Sequence, residues 1–162
     1  MKKQLLILTA FFVSIIGYAQ TVGDTFTDTF ITYEVTSISP NIVRVTAYDN
    51  NNGGTNADIP ASVTNSTITY SVTSIGNSAF EFNGPTALRL TSIIIPNTII
   101  SIGNNAFSSQ NLTTVTIPNS VANIGDLAFS NNDLTTAIIG NGVASIGQNA
   151  FSSNQLTTIV IP

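Results

Sequence analysis

The sequence predicts a mainly β solenoid built from 22-residue units and preceded by an N-terminal β cap. Three observations carry that prediction. The string Ile-Gly-x-x-Ala-Phe starts at Ile75, Ile102, Ile124 and Ile146, with steps of 27, 22 and 22 residues. A second landmark keeps the same beat at Ile95-Pro96, Ile117-Pro118, Ile139-Gly140 and Ile161-Pro162. Third, 43% of the residues are hydrophobic and only 7% are charged, so Asn, Ser, Thr and Gln must cover a regular apolar core. A fixed period of this length marks stacked units, none of which can bury its apolar face alone.

The chain opens with Lys2 and Lys3, an apolar run over residues 5–16, and the small residues Gly17 and Ala19. That order predicts a secretory signal peptide over residues 1–19, cleaved after Ala19. The run is too short to span a bilayer, so no membrane insertion is expected after cleavage. No Cys follows to take a lipid, and none occurs anywhere to form a disulfide. Loss of Lys2 and Lys3 moves the formal charge from −4 to −6 and leaves Arg44 and Arg89 against eight acids. Such a chain cannot neutralise phosphates, which excludes nucleic acid as a partner. An anionic membrane surface is disfavoured on the same grounds.

Residues 20–74 read as the cap, with an irregular first repeat. Residues 30–35 and 42–48 alternate as two strands, with Ser39-Pro40-Asn41 as the turn between them. Ile59-Pro60 matches the end of a repeat strand, and residues 67–75 re-enter the pattern through Val72 and Ile75.

Residues 75–162 are the repeats. One unit has apolar residues at Leu112, Val115, Ile117, Val121, Ile124, Ala128 and Phe129, and the same positions are apolar one unit earlier and one unit later. Residues 114–117 are β-branched and predict a short strand with Val115 and Ile117 inward and Thr114 and Thr116 outward. Pro118 ends it, having no N–H for a ladder. Val121 and Ile124 continue the inner wall along a second short segment. Gly125 is expected to take a backbone conformation that other residues resist, and residues 126–129 to form a single helical or 3₁₀ turn. About seven apolar side chains per unit, at roughly 1.5–3 kcal/mol each, offset the cost of ordering the backbone. Five extra residues within 81–88 explain the longer first step. The pattern stops in mid-unit at Ile161-Pro162, and further repeats or another chain are expected at that open end.

The pattern Leu-x-x-Val-x-Ile-Pro-x-x-Val-x-x-Ile-Gly-x-x-Ala-Phe closely resembles the BspA-like leucine-rich repeat family of bacterial surface proteins, over roughly residues 59–162. The resemblance implies a right-handed leucine-rich-repeat solenoid, a secreted or cell-surface location, and a binding role of adhesin type. Many repeats of that family carry a Cys or polar residue after the Phe; here the third residue after it is Gln110, Asn132 or Asn154. That choice suits a polar ladder in which side-chain amides bond to neighbouring coils. The leader's Tyr18-Ala19-Gln20 ending is also similar to those of Bacteroidetes.

Chemistry-bearing residues are few. The absence of His and Cys removes most nucleophile–base pairs and the usual zinc ligands. Asp126 and Asp133 are the only acids of the regular repeats and read as solvated surface groups. The stretch from Asp49 to Asp58 is rich in oxygen ligands and glycine but lacks the spacing and terminal Glu of a calcium loop, and reads as a polar loop. Two sequon matches, at Asn65 and Asn111, read as incidental, since Leu112 is expected inside. No catalysis, cofactor or metal is expected.

The outward positions of the strand row are the candidate interaction face. One column is Ser92, Thr114, Thr136 and Thr158; the next is Ile94, Thr116, Ile138 and Val160. Exposed apolar residues in the second column mark a surface for a protein or glycan ligand; the plainer alternative is a set of β-formers on a tolerant face. The expected function is therefore a non-catalytic interaction module, with a structural spacer as the alternative. Ice binding fails, because the Thr-x-Thr pair at Thr114 and Thr116 is not kept in the other units.

Overall fold

The protein is described by a computed structural model over residues 20–82 and 88–161. The expected signal peptide, most of the insertion and Pro162 lie outside the described residues. Six strands form the N-terminal part: β1 (Thr25–Asp28), β2 (Ile31–Ile38), β3 (Asn41–Tyr48), β4 (Asn56–Asp58), β5 (Ser62–Asn65) and β6 (Ile68–Ile75). The coils then alternate β7 (Ser92–Ile94), β8 (Ser101–Ile102), β9 (Thr114–Thr116), β10 (Asn123–Ile124), β11 (Thr136–Ile138), β12 (Ser145–Ile146) and β13 (Thr158–Val160).

The strands lie in two rows with the core between them. One row is a single sheet in the order β1-β2-β3-β6-β8-β10-β12, with β5 paired to β6. Its first part is an antiparallel meander, and β3 then joins β6 in parallel, so the cap and coils share one ladder. The other row holds β4-β7 and β9-β11-β13, all parallel, because each coil returns in the same direction.

Alternation explains the N-terminal strands. In β2, Ile31, Tyr33 and Val35 are buried, and β3 adds Val43 and Val45 opposite them. Glu34 and Arg44, cross-strand partners on the other face, form an ion pair at 2.6 Å. Strand β1 lies beside β2, outside the two strands the alternation predicts. A larger departure follows at residues 62–75. Residues 67–75 do re-enter the repeat through the buried Val72 and Ile75, the latter in register with Ile102, but β6 also closes an antiparallel hairpin with β5, turning through Ser66 at φ 57°. It is spliced into the first coil between its two rows.

In the coils the expected facing of residues 114–117 holds: Val115 and Ile117 are buried and Thr114 and Thr116 exposed. The corner carrying Gly-x-x-Ala-Phe does not form a helical turn. Ser130 N–H donates to Leu127 O at 3.1 Å, a 3₁₀-like step, but Leu127 has φ 57°, as do its equivalents Asn105 and Asn149 within 2°. A left-handed residue in each corner prevents helix from propagating. Gly125 is also not the residue that needs a special φ. Its requirement is space: a Cβ there would lie 2.6 Å from the Asn104 nitrogen and the Gly103 carbonyl carbon of the preceding coil. Gly103 and Gly147 meet the same limit against their own preceding coils. Glycine sets how closely the coils stack.

Two ladders inside the corner fix that stacking. Tyr48, Phe80, Phe107, Phe129 and Phe151 form one column of stacked rings with centroids 5.2, 4.9, 5.1 and 5.3 Å apart, within the range aromatic pairs prefer. Beside it runs the amide ladder. Asn132 accepts from Leu112 N–H at 3.1 Å and donates to the carbonyls of Phe107, Phe129 and Ser130. Asn154 repeats this set one coil later, and Gln110 one coil earlier bridges Leu90 N–H and Phe80 O. Each amide satisfies corner backbone groups that no strand can reach.

Candidate interaction face and end cleft

The face is built by the outward residues of the second strand row, and ladder registration decides which of them meet. Thr114, Thr136 and Thr158 are direct partners, as are Thr116, Ile138 and Val160. Ser92 and Ile94 instead pair with Asn56 and Asp58 of β4. The two columns therefore begin one strand earlier in the row than the repeat motif reveals, at β4, which lies within the residues expected to form the cap. Asn56 and Asp58 were missed because β4 and β7 are 36 residues apart, displaced by the hairpin and the insertion.

The columns are not continuous. Ile59 N–H donates to Ile94 O, Ile117 N–H to Ile138 O and Ile139 N–H to Val160 O, but among the described residues no ladder bond joins β7 to β9. A cavity of about 330 Å³ lies at this break, lined by Ser92, Ile94, Thr114 and Thr116 among others. The break thus gathers four of the eight candidate residues around one groove. Ile94, Ile138 and Val160 are 60%, 43% and 47% exposed. The face offers methyl groups and hydroxyls with no charge until Asp58 at its far end.

The other polar candidates are absorbed by structure. Asp126 accepts from Gln148 N–H at 2.6 Å, in a column where Asn104 accepts from Asp126 N–H and Asn77 from Asn104 N–H. Asp133 lies 3.5 Å from the Gln155 amide. In the loop after β3, Asp49 accepts from Asn51 and Asn52 N–H and from the Asn52 side-chain amide at 2.8 Å. These donors, the Asn52 amide foremost, hold its carboxyl below the usual range. Among the described residues no group of three or more His, Cys, Asp or Glu is placed to hold a metal ion.

A second concavity, of about 430 Å³, lies between the β1–β2 turn, with the adjoining ends of β2 and β3, and the segment from Gly53 to Pro60 that carries β4. It lies where the first sheet continues past the first coil through β3, β2 and β1, whereas the second ends at β4. Asp28, Phe30, Tyr33, Tyr48 and Asp58 line it. Tyr48 reaches across to donate to the carbonyls of Gly54 or Asn56. Burial, and secondarily the charge of Asp28, push the Tyr33 hydroxyl well above its ordinary range.

With this geometry in view, comparison with known proteins is direct. The model of the BspA type leucine-rich repeat region matches residues 57–162 as six copies. The chain belongs to that family. Among solved structures, a leucine-rich repeat protein from Bacteroides capillosus is 32% identical, with a TM-score of 0.72 over 85% of this chain and 98% of that one. A leucine-rich repeat protein from Bacteroides ovatus is 26% identical, with a TM-score of 0.57 over 85% of this chain and 41% of that one. The pneumococcal vaccine antigen PcpA shares the fold at a TM-score of 0.76, with 23% identity over 88% of this chain and 39% of that one. No curated protein sequence matches significantly. The BspA-type match begins at residue 57, on β4, so the first coil of the family pattern includes the strand that opens the face.

Proposed function

We propose that this BspA-type solenoid is a non-catalytic interaction module, exported from the cell, whose second strand row contacts a protein or glycan. The single observation that carries the reading is the exposed apolar pair Ile138 and Val160, neighbours in one ladder, with exposed Ile94 across the break, beside a column of hydroxyls. Large β-branched residues on a solvent face add nothing to the core, and apolar surface of this kind characterises interaction sites. The absence of charge on the face suits partners recognised by methyl contacts and hydroxyl hydrogen bonds. Export rests on the leader, and it agrees with the description of PcpA as a vaccine antigen.

The test is a screen of glycans and matrix proteins against the protein, repeated with Thr116→Lys and Ile138→Lys. Binding that is lost in both variants supports the face. Unchanged binding in both excludes it. The alternative, a spacer with no ligand on its coils, is favoured by how little the Thr column varies, and an empty screen would select it.

A further inference from the structure

We propose that the groove between β7 and β9 is a saccharide-binding slit, in which sugar hydroxyls take the place of backbone bonds that this interval of the stack lacks. The proposal rests on the reading of the second strand row as an interaction face, and it narrows the ligand from a protein or glycan to a glycan.

A set of bonds made in the neighbouring intervals is missing at the slit. Thr91 donates through its N–H and its hydroxyl to Thr55 O at 2.7 and 3.2 Å. Thr135 does the same to Thr113 O at 2.9 and 3.3 Å, and Thr157 to Thr135 O at 3.0 and 3.2 Å. Among the described residues Thr113, the equivalent position between them, makes neither bond to Thr91 O. Ile59 N–H reaches Ile94 O and Ile117 N–H reaches Ile138 O, but Ile95 N–H does not bond Thr116 O. Asn141 N–H donates to the Asn119 side chain at 3.0 Å, whereas Asn119 N–H makes no such bond to Asn97, whose side chain lines the groove.

The interruption is bounded at both ends. At the corner Asn111 N–H donates to Leu90 O at 2.9 Å. Past the strands Ser120 Oγ donates to Ile99 O at 2.7 Å and Ala122 N–H to Ile100 O at 2.8 Å. The two coils are thus pinned together on either side and parted only between residues 91–97 and 113–119. The cavity of about 330 Å³ occupies that gap. It reaches towards the core, for Ile93 is partly exposed where its equivalents Val115 and Ala137 are buried.

The walls select the ligand. Backbone N–H and C=O groups along an open slit are left to water, and a ligand that displaces this water must supply donors and acceptors together. A hydroxyl is both. The C–H face of a sugar ring has Ile94 and Pro118 to rest on. No charged side chain lines the groove, so an ion finds no counter-charge. An extended peptide joining as a strand needs about 4.8 Å to each wall, or roughly 10 Å between β7 and β9, and the pinned ends hold the coils at the spacing of direct bonds. A glycan lying along the slit and sending hydroxyls into it needs no such opening.

NMR titration of the protein with maltotriose, cellotriose and chitotriose tests this, with the capped tetrapeptide Thr-Val-Thr-Val as the strand control. The expected result is saturable shifts at the amides of Ile95, Asn97, Thr113 and Thr116 with at least one sugar, at a dissociation constant on the order of 1 mM. The amides of Thr136 and Thr158, whose ladder is closed, stay in place. Asn97→Ala and Thr116→Val each weaken the binding about fivefold by removing a polar partner. Ile138→Lys, in the same row but beyond the slit, leaves it unchanged. Sugar binding lost in Ile138→Lys and kept in Asn97→Ala would overturn the slit while leaving the strand row as the face. Sugar binding indifferent to all three variants would overturn both. Shifts with the peptide alone, or none with any of the three sugars, would overturn the saccharide; the row would then stand only if a matrix protein binds and is lost in Thr116→Lys and Ile138→Lys.

Discussion

In the coils, a side chain's neighbour is its own equivalent one period away. Phe107 stacks on Phe129, Thr136 faces Thr158, and Asp126 N–H bonds Asn104. In the first 75 residues the neighbours are unlike: Phe26 against Tyr33 and Tyr70, Glu34 against Arg44, Tyr48 against Phe80. Like-on-like packing produces a lattice in which one sequence solution serves every layer, but it yields shallow, uniform surfaces. Unlike packing needs a separate solution at each contact, and it is there that the two sheets fall out of step and leave the deeper concavity. Regularity builds the scaffold, and the places where it fails build the candidate sites.

This contrast can be broken in graded steps, each read from the urea midpoint at unchanged m-value. Phe107→Ala removes one ring from the middle of the column and should cost about 3–5 kcal/mol. The partly buried Phe26 of the cap should cost clearly less on the same change. If Phe26→Ala proves the more damaging, the cap and not the coils dominates stability. Asn132→Ala leaves the buried Leu112 N–H without its acceptor and should cost roughly 3 kcal/mol. Asn132→Asp, which keeps the acceptor but loses the donor, separates the two halves of the ladder. Gly125→Ala should cost about 2 kcal/mol by forcing the coils apart. Gly23→Ala has open space around its Cβ but a φ of 97°, so its cost is backbone strain alone, roughly 1 kcal/mol. Equal effects at the two glycines would argue that stacking distance is not limiting. Glu34→Gln, at a partly exposed pair, should change stability by less than about 1 kcal/mol, and less still in high salt.

The coils were legible because their contacts repeat in the sequence itself. Residues 22 apart touch, so the period reports the neighbour, and Asn132 could be assigned to an amide ladder from its place after Phe129. The role of Gly125 was misread for a specific reason. Sequence alone shows that a glycine is required, but whether for a left-handed φ or for close approach depends on the facing backbone. The left-handed positions fell instead on Asn105, Leu127 and Asn149, and a Leu gives no sign of that. The parallel join of β3 to β6 depends on a pairing without any repeat to announce it. Asn56 and Asp58 of the face, and the cleft around Tyr33, lay behind the same inserted hairpin. The break between β7 and β9 was invisible because both strands keep the motif intact.

The column of five rings has a bearing on how such a chain can change length. Each of the three inner rings is held by one above and one below, and the amide ladder beside them closes on the same interval. A deletion or duplication of one whole period in the gene would therefore hand each ring, glycine and amide a partner equivalent to the one it lost. A change of any other size would set a Phe opposite a strand and a Cβ opposite a backbone. The fold tolerates inheritance in whole turns, so the extent of the surface can vary between lineages while each layer stays as it is.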